Sequence, residues 1–282
     1  MILTETKSRV MDNLYKSTIH NRSQEFRDLI LEVANKSYTP SSTDNLIGNE
    51  ELNKEKEIVI KSLEDLCVAL FQKIEFLNYR LQTIMTFDWN YRENLENINP
   101  EERLDERPMR LHGDRLQIKF NHKDTIAYFI FFEVSGFMST LSSIIDLLAE
   151  LLRFSFRVKV KGMPTIINVN ENISDKKLRI FIQEKFCTNY SFYGMRHIRT
   201  HCEHGDHSKI LNVIVTQDFP RRTNRVLAVK INKKLMASDF PLELADISES
   251  DNLNVYCEFL YKKIVENIEE FFTVLCEIRE TL

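Results

Sequence analysis

Residues Ile126 to Leu152 form the longest apolar run in the chain, and it limits the fold more than any other segment. Glu133, Asp146, Glu150 and several serines interrupt it, so a membrane span suits it poorly. Its apolar side chains nevertheless fall on nearly every side of a helix. A helix of that kind has no face to give to water and belongs in the middle of a bundle. Asp124 is placed to cap it, and the predicted helix runs from Thr125 to about Arg153. Only 6 Gly and 6 Pro occur among 282 residues, of which 43% are hydrophobic and 28% charged. That balance suits a folded, mostly helical chain.

The other segments can be arranged around this helix. Residues 1–36 contain one amphipathic helix (Phe26, Leu29, Ile30, Val33) and read as peripheral. The Pro40–Ser41–Ser42–Thr43–Asp44 stretch up to Asn49 reads as a loop. A long helical period then runs from Lys54 to about Asp88 through Ile58, Leu63, Leu66, Leu70, Ile74, Leu77, Leu81 and Ile84. Residues 111–115 suggest a tight turn, with Leu116, Ile118 and Phe120 alternating beyond it. Residues 156–170 allow a strand or two around Gly162 and Pro164, and a helix is expected from Ser174–Asp175 through Phe186. The β-branched runs Ile210–Val215 and Val226–Ile231 flank Asp218 to Asn224 as a basic-tipped hairpin. A final helix is expected from Asn252 to Leu282. The expected fold is mainly α: a helical bundle of four or five core helices with small β-hairpin insertions. An N-terminal extension and loop over 1–50 would precede a main domain over 51–282, with its hairpin around 209–233.

The net charge of -4 conceals an uneven distribution. Residues 153–234 carry 17 Lys and Arg against 6 Asp and Glu, which leaves the rest of the chain strongly acidic. A basic segment of this kind points to an anionic ligand, or to acidic segments packed beside it. Cys67, Cys187, Cys202, Cys257 and Cys276 are scattered, odd in number and form no CxxC pair. They read as ordinary thiols of a reducing compartment. The N-terminal residues show no basic stretch leading into an apolar run, so no signal peptide, a cytoplasmic location and no membrane contact are expected.

Four of the seven histidines fall within residues 196–207, among Arg196, His197, Arg199, His201, His204 and His207. If residues 189–204 are helical, with Gly205 ending the helix, His197 and His201 share one face. Arg196 then points about 140° away from His201, but its long side chain can swing to the same cleft. Histidine titrates near neutrality and can act as base or acid, and a guanidinium can hold the charge that builds on phosphorus. Together these are the groups that RNA transesterification requires. A zinc site built from His201, Cys202, His204 and His207 is the competing chemistry. Its ligands crowd into one stretch, and His112 and His122 are too isolated to supply a second pair. No metal and no cofactor are therefore expected.

The hexapeptide Arg196-His197-Ile198-Arg199-Thr200-His201 resembles the signature of the HEPN superfamily: Arg, a polar residue, a short spacer and His on a late helix. The stretch Phe132 to Asp146 resembles an early-helix pattern found in several HEPN branches, with an acid near its start and an Asp about four turns later. The resemblance implies a metal-independent endoribonuclease, homodimeric, with the two motif helices facing each other. It implies Arg196 and His201 as the catalytic pair, His197 as the polar companion, and Glu133 and Asp146 as supporting groups. Proteins of this kind often act as toxins or phage-defence effectors, so an RNA substrate and an antitoxin or regulatory partner are implied as well. Arg199, Arg221, Arg222 and Arg225 are the candidate RNA-binding cations. A second frame, Arg199 to His204, fits the spacing less well, because Thr200 then fills the polar position and the frame runs into Gly205. The alternative within the same fold is a non-catalytic RNA- or protein-binding dimerisation module.

Overall fold

The computed structural model describes residues 22–38, 46–85, 109–112, 115–119, 125–188, 192, 195, 199, 211–218, 223–231 and 253–281. For the strands and for residues 46–51, 125–131, 253–255 and 281 it describes only the backbone. In chain order the elements are α1 (Ser23–Ser37), α2 (Leu46–Met85), β1 (Met109–His112), β2 (Arg115–Lys119), α3 (Thr125–Ser155), α4 (Ile166–Glu171), α5 (Lys176–Ile182), β3 (Leu211–Asp218), β4 (Thr223–Ile231) and α6 (Leu253–Thr281). Helices dominate, as expected for a mainly α chain.

The long helices form where the apolar periods place them. On α2, Leu63, Cys67, Leu70, Ile74, Leu77, Leu81 and Ile84 are buried at alternating steps of four and three. That spacing is the 3.5-residue seam of coiled-coil-like packing. Ile58 is 68% exposed and lies outside this seam, while the neighbouring Val59 is buried. α3 buries residues on most of its circumference, including Phe137, Met138, Leu141, Ile144, Ile145, Leu148 and Leu151. The segment Phe132–Ser155 is long and apolar enough to cross a membrane, yet 61% of its most apolar stretch is buried inside the fold. α6 buries Ile264, Ile268, Phe271, Leu275 and Ile278 on a single stripe.

The chain divides into two compact units, and residues 50–51 fall inside α2. Gly48, which costs roughly 1 kcal/mol relative to Ala within a helix, does not stop α2 from starting at Leu46. The first unit comprises Met1–Phe76, Leu141–Asn189 and Lys262–Leu282. Within it α1 belongs to the core and is not peripheral. Val33 and Ala34 are fully buried, and the Phe26 ring lies 5.6 Å from Phe71, 6.1 Å from Phe271 and 6.2 Å from Phe272. Lys36 donates to the Arg279 carbonyl at 2.6 Å, and Arg279 pairs with Glu32 at 3.4 Å.

Residues 156–170 contain no strand. Thr165 caps α4 in a reciprocal box: its hydroxyl accepts from the Asn168 N–H at 3.3 Å, and the Asn168 side chain accepts from the Thr165 N–H at 2.7 Å. That pairing favours a helical turn over an extended chain. Asp175 caps α5 by accepting from the Leu178 N–H at 2.7 Å. The helix expected to reach Phe186 passes instead into a π-helical turn over Gln183–Cys187. There the Lys185 carbonyl accepts from the Asn267 amide at 2.9 Å. A π turn leaves carbonyls misaligned with the α-helical ladder, and the wholly buried Asn267 satisfies one of them.

α3 ends in a Schellman motif. The Val158 N–H donates to the Arg153 carbonyl at 2.9 Å and the Arg157 N–H to that of Phe154 at 3.4 Å. Arg157 therefore takes the left-handed position, with φ +50°, where glycine is usual.

The second unit comprises Leu77–Thr140 and Tyr190–Tyr261. Its strands form one four-stranded antiparallel sheet in the order β1-β2-β3-β4. β1 and β2 pair through a two-residue connection (His112 opposite Arg115), and β3 and β4 pair over their full length with an irregularity at Ile214/Val215. Ile118 opposite Val215 joins the two pairs, so the β elements are one sheet and not separate decorations.

Cys67 and Cys257 are buried, and Cys187 and Cys276 are partly exposed; Cys202 lies outside the described residues. Burial pushes the Cys67 thiol up to about 12, with Arg27 opposing and Glu64 adding to the rise. The folded protein keeps this proton where an ordinary thiol, at 9.0, releases it. The contribution is therefore fully present below about pH 9 and is lost as pH rises towards 12. Urea midpoints measured between about pH 8 and about pH 10 should fall with pH, and less steeply for Cys67→Ala than for the parent.

Candidate functional site

The segment expected to carry the chemistry is described at three positions, Phe192, Met195 and Arg199, and all three are helical. Phe192 and Met195 are fully buried, and Arg199 is half-buried. Spaced by three and four residues, they would share one stripe of a continuous helix. Arg196, His197 and His201 lie outside the described residues, as do Arg221 and Arg222. So do the members of the alternative zinc set, His201, Cys202, His204 and His207. Among the described residues no three His, Cys, Asp or Glu side chains gather as metal ligands do. Arg225 is placed by its backbone alone, opposite Thr216 in the β3–β4 register.

Glu133 and Asp146 are not brought together. They stand thirteen residues apart on α3, roughly 20 Å along the axis at 1.5 Å per residue. Asp146 is exposed. Glu133 is buried, and Arg80 of α2 donates to its Oε2 through Nη1 at 2.6 Å. The two side chains are only 15% and 11% exposed, so this ion pair is largely shielded from water. Arg80 also lies 5.6 Å from the centre of the Phe132 ring. Gly136, one turn beyond Phe132, makes room for it: a Cβ there would stand 2.9 Å from the Arg80 Cζ. The Thr140 hydroxyl donates to the Gly136 carbonyl at 2.7 Å.

Arg80 is the functional-looking residue that the sequence reading missed. A faint signal was present, because at 100° per residue position 80 lies at the edge of the apolar stripe, about 40° beyond Ile84. A cation that is covered at such an edge requires an anionic or hydrogen-bonding partner. The chemistry of the pair is that of a fixed charge: Glu133 is held as an acceptor by a guanidinium and is not presented as a free base.

Comparison with protein-family models, curated proteins and solved structures finds no match to this chain.

Proposed function

We propose that this chain is a metal-independent endoribonuclease of the HEPN type, acting as a homodimer and serving as a toxin or phage-defence effector. The observation that carries the reading is the Arg196–His201 hexapeptide in a mainly helical chain. The helical, buried Phe192 and Met195 support it, since they supply an anchored face just ahead of the motif. In a helix of that register, positions 197 and 201 fall about 140° and 180° from Phe192, away from the anchored stripe. Position 196 flanks the stripe, within reach for an arginine.

In the proposed reaction a histidine takes the proton from an RNA 2′-hydroxyl, and the 2′-oxygen attacks the neighbouring phosphorus. The bond to the 5′-oxygen breaks, and that oxygen receives a proton from a second acid. Arg196 holds the equatorial oxygens through its forked N–H groups as charge accumulates. A dimer brings two copies of His201 to one cleft, which provides base and acid together. The products are a 2′,3′-cyclic phosphate and a 5′-hydroxyl, and DNA, lacking the nucleophile, is bound without being cut.

Purified protein is expected to cut single-stranded RNA in excess EDTA and to leave cyclic phosphate ends, read by mass spectrometry of the fragments. Activity lost on chelation and restored by zinc would instead select the metal reading. Expression of the wild type is expected to slow growth of a host cell.

A further inference from the structure

A groove of about 760 Å³ opens in the first unit beside the C-terminal end of α3. Arg153, Arg157 and Lys159 line it, together with Tyr38, Phe154 and Glu55. The two arginines are fixed in place. The Arg157 guanidinium lies 4.8 Å from the centre of the Tyr38 ring, and its Nη2 reaches Glu55 at 3.1 Å. The Arg153 guanidinium stacks 3.9 Å from the centre of the Phe154 ring and holds Glu150 at 2.7 Å. Burial and then Glu55 raise the Tyr38 phenol above its ordinary value, against the pull of Arg157, so it remains a neutral platform. Beyond the helix, Arg157 and Lys159 are exposed while Val158 is buried. Among the described residues Lys159 has no ion-pair partner.

Helix-end electrostatics account for cations here only in part. A positive charge is favourable at a helix C-terminus, worth about 0.3–1 kcal/mol. The same end would nevertheless be more stable with glycine at 157, because a left-handed non-glycine residue costs roughly 1–2 kcal/mol. Backbone strain that is kept for a cation lining a groove is the kind found at ligand sites. The charges are also spread along the groove: Arg153 lies in the last turn of α3, Arg157 at its left-handed end and Lys159 two residues beyond. A single terminal phosphate would call for convergent groups, whereas cations spread along a groove suit a chain of phosphodiesters.

We infer that this groove binds the sugar–phosphate backbone of single-stranded RNA, with Arg153, Arg157 and Lys159 each facing a phosphate. The inference rests on the reading of the chain as one that acts on RNA and adds the surface along which the strand is held. Its test uses the full chain carrying His201→Ala, so that RNA is not consumed, with a fluorescein-labelled oligouridine followed by anisotropy at several salt concentrations. Arg157→Gly relieves the strained position, so its melting temperature should hold or rise while affinity falls. Combined with Arg153→Ala and Lys159→Ala, it should weaken binding about tenfold or more. It should also flatten the salt dependence by about 0.7 per lost contact, roughly two in all.

Unchanged affinity and salt slope in the triple variant, or no oligouridine binding by the parent, would overturn the groove. ATP competing as tightly per molecule as the oligomer would overturn the strand geometry in favour of a point anion. If the wild type cuts nothing but the triple variant still loses affinity, the groove stands and the nuclease reading fails. Cleavage with affinity untouched by the three substitutions has the opposite meaning.

Discussion

Arg196→Ala and His201→Ala are each expected to lower the rate of RNA cleavage by about 100- to 10,000-fold, the range for losing a positioned proton-transfer group. The two losses arise differently and can be separated. Without His201 a proton must move through water, so the residual rate should follow buffer concentration and pH. Without Arg196 the proton transfers persist, but the charge on phosphorus has no bidentate partner. Arg196→Lys should recover little of it, since an ammonium is a point charge without the guanidinium fork. Circular dichroism confirms that each variant is folded before its rate is compared. Full activity in both alanine variants would end the nuclease reading, including the growth defect that the same substitutions are expected to relieve.

The largest effect on stability is expected at Arg80. Arg80→Ala strands the buried Glu133 carboxylate and should cost about 3 kcal/mol, near the lower end for breaking a buried pair because both groups retain slight exposure. Gly136 provides the sharper measurement. In the parent, Gly136→Ala places a methyl 2.9 Å from a guanidinium that Glu133 holds in place, and stability should fall. In the Arg80→Ala background the three atoms nearest that methyl are gone, and alanine's helix propensity should raise stability by about 1 kcal/mol. Chemical denaturation of the four proteins gives the coupling energy. The same sign for Gly136→Ala in both backgrounds would show that Arg80 does not define the space at Gly136.

Periodicity made α2, α3 and α6 legible, because each has enough buried positions for a 3.5- or 3.6-residue repeat to stand out. Short-range polar chemistry decided what periodicity missed. The Thr165–Asn168 box turned an apparent strand into α4. The Asn267 bond to Lys185 belongs to a π turn that no spacing pattern announces. The Arg80–Glu133 pair joins residues 53 apart, and single-sequence spacing carries no information on such pairs. The candidate catalytic hexapeptide was legible as chemistry, since Arg and His at that spacing have a shared use. Glu133 was picked out for its acidity, but its environment gives it a guanidinium to hold. The groove cations escaped notice because alternation in an irregular segment acquires meaning only beside Tyr38, Phe154 and the left-handed Arg157.

The place of α1 in the first unit has a consequence for the protein's birth. Phe26 packs on Phe271 and Phe272, and Lys36 bonds the Arg279 carbonyl across 243 residues of sequence. At about 5–20 residues per second a ribosome needs roughly 12–50 s to travel from one partner to the other. For that interval α1 can pack on α2 through Phe71, while the side that meets Phe271 and Phe272 has no native surface to cover it. Part of the first unit's core thus stays open until α6 has been synthesised.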